Sequence, residues 1–234
     1  MCTNYEPSLH QVHQDFAVAF GANFPTDTFR PETFPGYLAP VVRMAPPATP
    51  TEGRRECIAA RFGLVPAWVK PADVALPRLK FATHNARVET ASQLPSFKHA
   101  WRNRQFCLIP VKSFYEPCWE TGRAVRWKIS LADELPFALA GLWGQWRHED
   151  KIIESFTMLT VNADTHPIMA RMHRPGEEKR MPVILAAADY AAWLHADMDE
   201  ARRLCQTFHA SGMTAQAAPA VRRITAEHST TSVK

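Results

Sequence analysis

Phe106-Cys107-Leu108-Ile109-Pro110-Val111 is a short, continuous apolar run between Arg104-Gln105 and Lys112-Ser113, and it reads as a buried strand. Working outward, similar runs bounded by breakers lie at 57–65, 124–131, 136–142 and 153–161. The last has Thr157-Met158-Leu159-Thr160-Val161 at its centre. Helical patterns are fewer: 8–20, the short 95–101, 198–208, and 187–196, where Asp189 is placed to cap a helix carrying Tyr190, Trp193 and Leu194. Strands therefore outnumber helices and do not alternate with them, which argues against a doubly wound parallel sheet. The expected class is α+β, with a mostly antiparallel, strongly curved sheet closing towards a pseudo-barrel and a few flanking helices.

Nineteen prolines against nine glycines punctuate the chain. In 31–50, Pro31, Pro35, Pro40, Pro46, Pro47 and Pro50 surround Tyr37-Leu38-Ala39 and Val41-Val42, a pattern of turns and an edge strand. Residues 1–210 are expected to form a single domain. The Ala/Ser/Thr-rich stretch 211–234 is expected to be a loosely packed tail.

Composition excludes several classes. With 234 residues, 46% hydrophobic and 21% charged, the chain has the balance of a soluble globular protein able to bury a substantial core. No apolar run has the length of a membrane span, and the first thirty residues lack a signal pattern, so a cytoplasmic protein without a membrane partner is expected. Five cysteines, an odd number without C-x-x-C spacing, argue against a disulfide framework and a cysteine zinc site. The net charge of +4 is compatible with a polyanionic partner, but the basic residues are spread along the chain in pairs.

Five places carry residues suited to chemistry. Cys2 follows the initiator Met; a small second residue allows an aminopeptidase to remove Met1 and leave cysteine first. Such a cysteine presents an α-amine of pKa about 7.7–8.0 beside a thiol of about 8.5, and together they can close a thiazolidine ring on an aldehyde. In Thr83-His84-Asn85-Ala86-Arg87-Val88-Glu89-Thr90, Asn85 can orient an amine or hydroxyl and Arg87 can grip a phosphate; a capped turn with a surface salt bridge explains the run equally well. Glu116 in Phe114-Tyr115-Glu116 sits among apolar neighbours that would raise its pKa and suit it to acid/base work, or pairs with an arginine at a strand end. His173 in Met169-Ala170-Arg171-Met172-His173, upstream of Arg180-Met181-Pro182, can shuttle protons or serve as an ordinary packed histidine. Trp68 in Gly63-Leu64-Val65-Pro66-Ala67-Trp68 is either core or an exposed platform for a nucleic-acid base.

In order and kind these segments resemble the SOS-response-associated peptidase (SRAP) proteins, which shield abasic sites in DNA. The resemblance runs over roughly 2–195 and rests on Met1-Cys2, Gly63-Leu64-Val65-Pro66-Ala67-Trp68, Asn85-Ala86-Arg87-Val88-Glu89-Thr90, Cys107-Leu108-Ile109-Pro110 with Phe114-Tyr115-Glu116, and His173 with Arg180-Met181-Pro182. The chain departs from the family pattern at Thr3-Asn4, where a basic DNA contact is expected at position 4. It departs again at Pro117, where an aromatic is usual, and at the inserted Arg174-Pro175-Gly176-Glu177-Glu178-Lys179.

The resemblance implies covalent capture of an abasic site in single-stranded DNA, with Cys2, Asn85, Glu116 and His173 as the chemical residues. Arg87, Arg180, Trp68 and Pro66 are implied as DNA contacts. It implies no metal or organic cofactor and a weak abasic-site lyase side reaction; a monomer, associated with the nucleoid when DNA-bound, is expected. Two rivals stand beside it. One is a cysteine peptidase built on Cys2, His173 and Asn85, with self-removal of Met1; the other is a noncovalent single-strand-binding module in which Cys2 is incidental.

Overall fold

A computed structural model describes residues 2–9, 13–47, 49, 51–77 and 79–218. Among the described residues, eleven strands are joined in one sheet: β1 (Asn4–Pro7), β2 (Leu38–Met44), β3 (Arg55–Phe62), β4 (Asn85–Arg87), β5 (Phe106–Cys118), β6 (Val125–Leu131), β7 (Phe137–His148), β8 (Lys151–Asn162), β9 (Arg180–Pro182), β10 (Ile184–Leu185) and β11 (Met213–Ala217). Six short α-helices among the same residues flank it: α1 (His13–Phe20), α2 (Pro71–Val74), α3 (Val88–Ala91), α4 (Lys98–Arg102), α5 (Tyr190–His195) and α6 (Met198–Leu204).

The Phe106–Val111 run is the first half of β5, and all six residues are buried. It pairs on one side with β7, Phe106 opposite Leu142 through Val111 opposite Phe137. On the other side it pairs with β2 at Val42–Leu108 and Arg43–Cys107. β2 continues to β3, β3 lies parallel to β8, and β8 returns antiparallel to β7. The ring β5-β7-β8-β3-β2 thus closes into a five-stranded barrel with one parallel seam, as the curved α+β expectation requires. Trp193 on α5 packs outside it and donates its indole N–H to Cys107 O at 2.9 Å. A strand covered on both faces has no reason to alternate polar and apolar residues, which is why this run is uniformly apolar. At Gly141 on β7 an added Cβ would stand 2.8 Å from Thr157 O and 2.9 Å from Cys107 Sγ, so the strand approach there admits only glycine.

Beyond Val111, β5 leaves the barrel and pairs with β1 and β6. This extension carries Glu116.

Four expectations are corrected. The strand read from 31–50 is not an edge: β2 has β3 on one side and β5 on the other. Pro40 is tolerated because pairing with β5 is confined to Val42 and Arg43, so its missing N–H removes no ladder bond there. The helix read from 8–20 is described from His13 onward, and residue 8 stands outside it because Ser8 N donates to Pro110 O and holds the chain beside β5; residues 10–12 lie outside the described residues. Asp189 makes no capping bond; Asp197 caps α6 instead, accepting from Asp199 N and Glu200 N. The expected loose tail contains β11, in which Met213–Ala217 pair with Leu131–Trp127 of β6; residues 219–234 lie outside the described residues.

Candidate active site

β1 runs antiparallel to β5 with Asn4 opposite Tyr115 and Tyr5 opposite Phe114. Continued towards the N-terminus, that register carries Cys2 alongside Glu116 and Pro117. Cys2 is fully buried, and its thiol donates to Asn4 O at 3.5 Å. Burial, with the Glu116 charge adding to it, pushes the thiol well above its ordinary range, so the sulfur is protonated at neutral pH. Asn85 is fixed by the parallel pairing of β4 with β8, opposite Met158. Its side-chain Nδ2 donates to Cys2 O at 2.7 Å, while its Oδ1 is buried without a partner among the described residues. An amide held in this way has an acceptor ready for an amine on the same residue whose carbonyl it grips.

Glu116 and His173 are 2% and 5% exposed, and His173 Nε2 lies 3.1 Å from Glu116 Oε2. The backbone explains how they meet. The end of β5 bridges the segment before His173: Cys118 pairs with Met172, and Trp119 N donates to Arg171 O at 3.2 Å. His173 N then donates to Pro117 O at 2.7 Å. The histidine adopts a left-handed backbone, φ 62°, which a β-carbon disfavours and which the surrounding bonds enforce. Lys179 Nζ adds a 3.3 Å bond to His173 O. Burial pushes Glu116 up to about 7 and His173 down to about 4. Near neutrality the carboxyl readily keeps or gives up a proton, and the imidazole is uncharged and able to accept one.

Trp68 is 58% exposed and stacks on Phe81, centroids 5.2 Å apart and planes 22° apart. Pro66 is buried at the start of the same turn, where its carbonyl accepts from Val69 N at 3.1 Å and fixes the arm carrying Trp68. A cavity of about 630 Å³ is lined by Thr3, Arg61, Gly63, Lys80, Phe81 and His84; Cys2, Asn85, Glu116 and His173 are not among its walls. Arg87 is half-exposed, with Nη1 2.6 Å from Glu178 Oε2.

Arg180 does not fit the expected phosphate contact. It is 2% exposed and its guanidinium forks onto Glu89 at 2.9 and 2.8 Å, with further bonds to Glu178 Oε1 at 2.8 Å and Thr160 O at 2.6 Å. It ties α3, β8 and β9 together and faces inward. At position 4, Asn4 Oδ1 accepts from Arg126 Nη2 at 2.7 Å, and the Arg126 guanidinium lies 3.4 Å over the Tyr115 ring. A cation is therefore present beside residue 4, supplied by β6.

Sequence reasoning brought together Cys2, Asn85, Glu116 and His173 but gave no role to Glu89, Glu178 or the Pro117 carbonyl. Glu89 lies inside the quoted Asn85–Thr90 run, yet its partner is 91 positions away, beyond any local spacing rule. Among the described residues no group of three or more His, Cys, Asp or Glu side chains is placed to hold a metal ion, and no helix is long and apolar enough to cross a membrane.

Three comparisons bear on this arrangement. A protein from Bordetella bronchiseptica of known crystal structure is 34% identical, superposes with a TM-score of 0.83, and aligns over 94% of this chain and all of its own. A protein from Bacteroides thetaiotaomicron shares the fold at 21% identity and a TM-score of 0.75, over 92% of this chain and 91% of its own. A phage-related protein from Bordetella bronchiseptica does so at 16% identity and 0.67, over 95% of each chain. A search of the curated proteins finds no match. The family described as SOS response associated peptidase (SRAP) matches residues 1–224, nearly the whole chain, and this protein belongs to that family.

Proposed function

We propose that the protein captures abasic sites in single-stranded DNA covalently through Cys2, once Met1 has been removed. One observation carries the reading: Asn85 holds Cys2 O at 2.7 Å, His173 faces Glu116 at 3.1 Å, and the β1–β5 register brings these two buried pairs side by side. The ring-opened sugar presents an aldehyde at C1′. The Cys2 amine adds to that carbon to give a carbinolamine, and loss of water leaves an imine. The Cys2 sulfur then bonds to the same carbon while its proton passes to the nitrogen, closing the thiazolidine. The net change is one water released.

Glu116 as the carboxylic acid protonates the departing oxygen at ring opening and dehydration, and neutral His173 takes a proton from the sugar hydroxyl. Asn85 Oδ1 accepts from the amine and aims its lone pair. Arg87 and Trp68 hold the flanking phosphate and base. The same imine permits β-elimination, hence a slow lyase side reaction.

The peptidase alternative draws less support. A thiol protease needs a thiolate stabilised by imidazolium, whereas burial here pushes Cys2 towards the thiol and His173 towards the neutral ring. Incubation with a single-stranded oligonucleotide carrying one abasic site tests the proposal. A heat-stable shifted band with the natural protein, absent for C2A and for the undamaged strand, is expected. Peptide cleavage without such a band would favour the protease.

A further inference from the structure

We infer that the Glu178 carboxylate occupies the phosphate subsite beside Arg87 in the free protein and is displaced when a strand binds; this rests on the DNA-capture reading above. Three donors from three strands converge on this one side chain. Arg87 Nη1 of β4 lies 2.6 Å from Oε2, while Arg180 Nη1 of β9 and Asn162 Nδ2 of β8 lie 2.8 and 3.1 Å from Oε1. Two guanidiniums and an amide hold this anion, and of the two guanidiniums the half-exposed Arg87 is the one a phosphodiester oxygen reaches, the buried Arg180 serving only to hold the carboxylate. Both sites carry a single negative charge, so a phosphate can replace the carboxylate without changing the charge around Arg87.

The contacts are unequal in a way that favours exchange. Arg180 keeps its fork onto Glu89 and its bond to Thr160 O without Glu178. Asn162 Nδ2 also donates to Asp164 Oδ2 at 2.8 Å. Arg87, in contrast, has Glu178 as its only ion pair among the described residues. The pair is accessible, with the two side chains 47% and 32% exposed. Glu178 belongs to the segment 174–179 that follows His173, and Lys179 anchors that segment through Nζ to Arg174 O at 2.7 Å and through its N–H to Asp164 Oδ1 at 2.7 Å. The carboxylate therefore acts as a built-in competitor: an undamaged strand must displace it for every encounter, which weakens nonspecific binding. An abasic strand is retained afterwards by the covalent bond.

The test measures the affinity of an undamaged oligothymidine strand, and its salt dependence, for the natural protein and for E178Q, E177Q, R87A and R87A/E178Q. Glu177 gives the same charge change in the same segment; among the described residues its side chain makes no hydrogen bond or ion pair, and its backbone N–H donates to Arg174 O at 3.2 Å. E178Q keeps the side chain's shape and an oxygen for Asn162 and Arg180. It is expected to bind about fivefold more tightly than E177Q at low salt, with a similar log–log salt slope, because the same phosphate is neutralised once the carboxylate has been displaced. In the R87A background the gain should vanish. Equal affinities of E178Q and E177Q, or a gain that persists without Arg87, would overturn the inference. Failure of the capture reading itself would show separately, as no adduct between the natural protein and an abasic strand.

Discussion

His173 Nε2 and Glu116 Oε2 face each other at 3.1 Å in a site from which water is almost excluded. Burial disfavours charge on both groups, so the pair is an acid beside a base rather than an ion pair at neutral pH. Proton transfer between them, or through substrate, leaves the site's net charge unchanged.

This pairing sets the pH dependence of adduct formation. The attacking amine becomes free as pH rises through about 7.7–8.0. Glu116 as an acid is lost as pH rises through about 7. Single-turnover rates should therefore form a bell with its maximum near neutrality. E116Q should lower the rate by about 10²–10⁴ and abolish the alkaline limb. A rate that keeps climbing with pH in the natural protein would contradict the assignment.

The same burial has a stability consequence. Glu116 titrates at about 7 folded against an ordinary 4.5, so between those values the folded state binds more protons than the unfolded one. Its contribution is complete below 4.5 and is lost as pH rises through 7. E116Q does not titrate, and at pH 8 it should be more stable than the natural protein by on the order of 2 kcal/mol, with the difference vanishing at pH 4. Urea denaturation at the two pH values checks this.

Arg87 and Arg180 should separate cleanly. R180A removes a buried guanidinium that satisfies Thr160 O and neutralises Glu89 and Glu178, and it should cost about 2–3 kcal/mol of stability, below the range for a wholly buried pair because Glu89 is half-exposed. The salt slope of DNA binding should not change. R87A should leave stability within about 0.5 kcal/mol and weaken strand binding. Thermal melts alongside salt titrations distinguish the two.

Trp68 is exposed on the Phe81 ring, so its removal opens no cavity in the core. W68A should weaken binding of a single strand by about 1–3 kcal/mol, the worth of one stacked base, with an unchanged melting temperature. Fluorescence anisotropy and a melt of the same sample decide it.

The barrel was largely legible because its strands are short apolar runs between breakers; 57–65 and 153–161 lie within a few residues of β3 and β8. Closure was less so, since nothing local in Leu38–Met44 says that a proline-bearing strand has two neighbours. β11 was missed because Thr214, Ala215, Gln216 and Ala217 bury little and owe their strand to β6. In the site, Cys2, Asn85, Glu116 and His173 were named from motifs, but their meeting depends on the β1–β5 register and the Cys118–Met172 bridge. Arg180 was misplaced because sequence shows a charge and not its burial; only the fold reveals Glu89 beside it.

Intact and peptide-level mass analysis of the protein mixed with abasic single-stranded DNA is the decisive measurement of capture at Cys2. The expected species lacks Met1 and equals protein plus DNA minus one water, with the sugar carbon attached to both nitrogen and sulfur of Cys2. An adduct on any other residue, or none from a chain whose Cys2 amine is free, would contradict it.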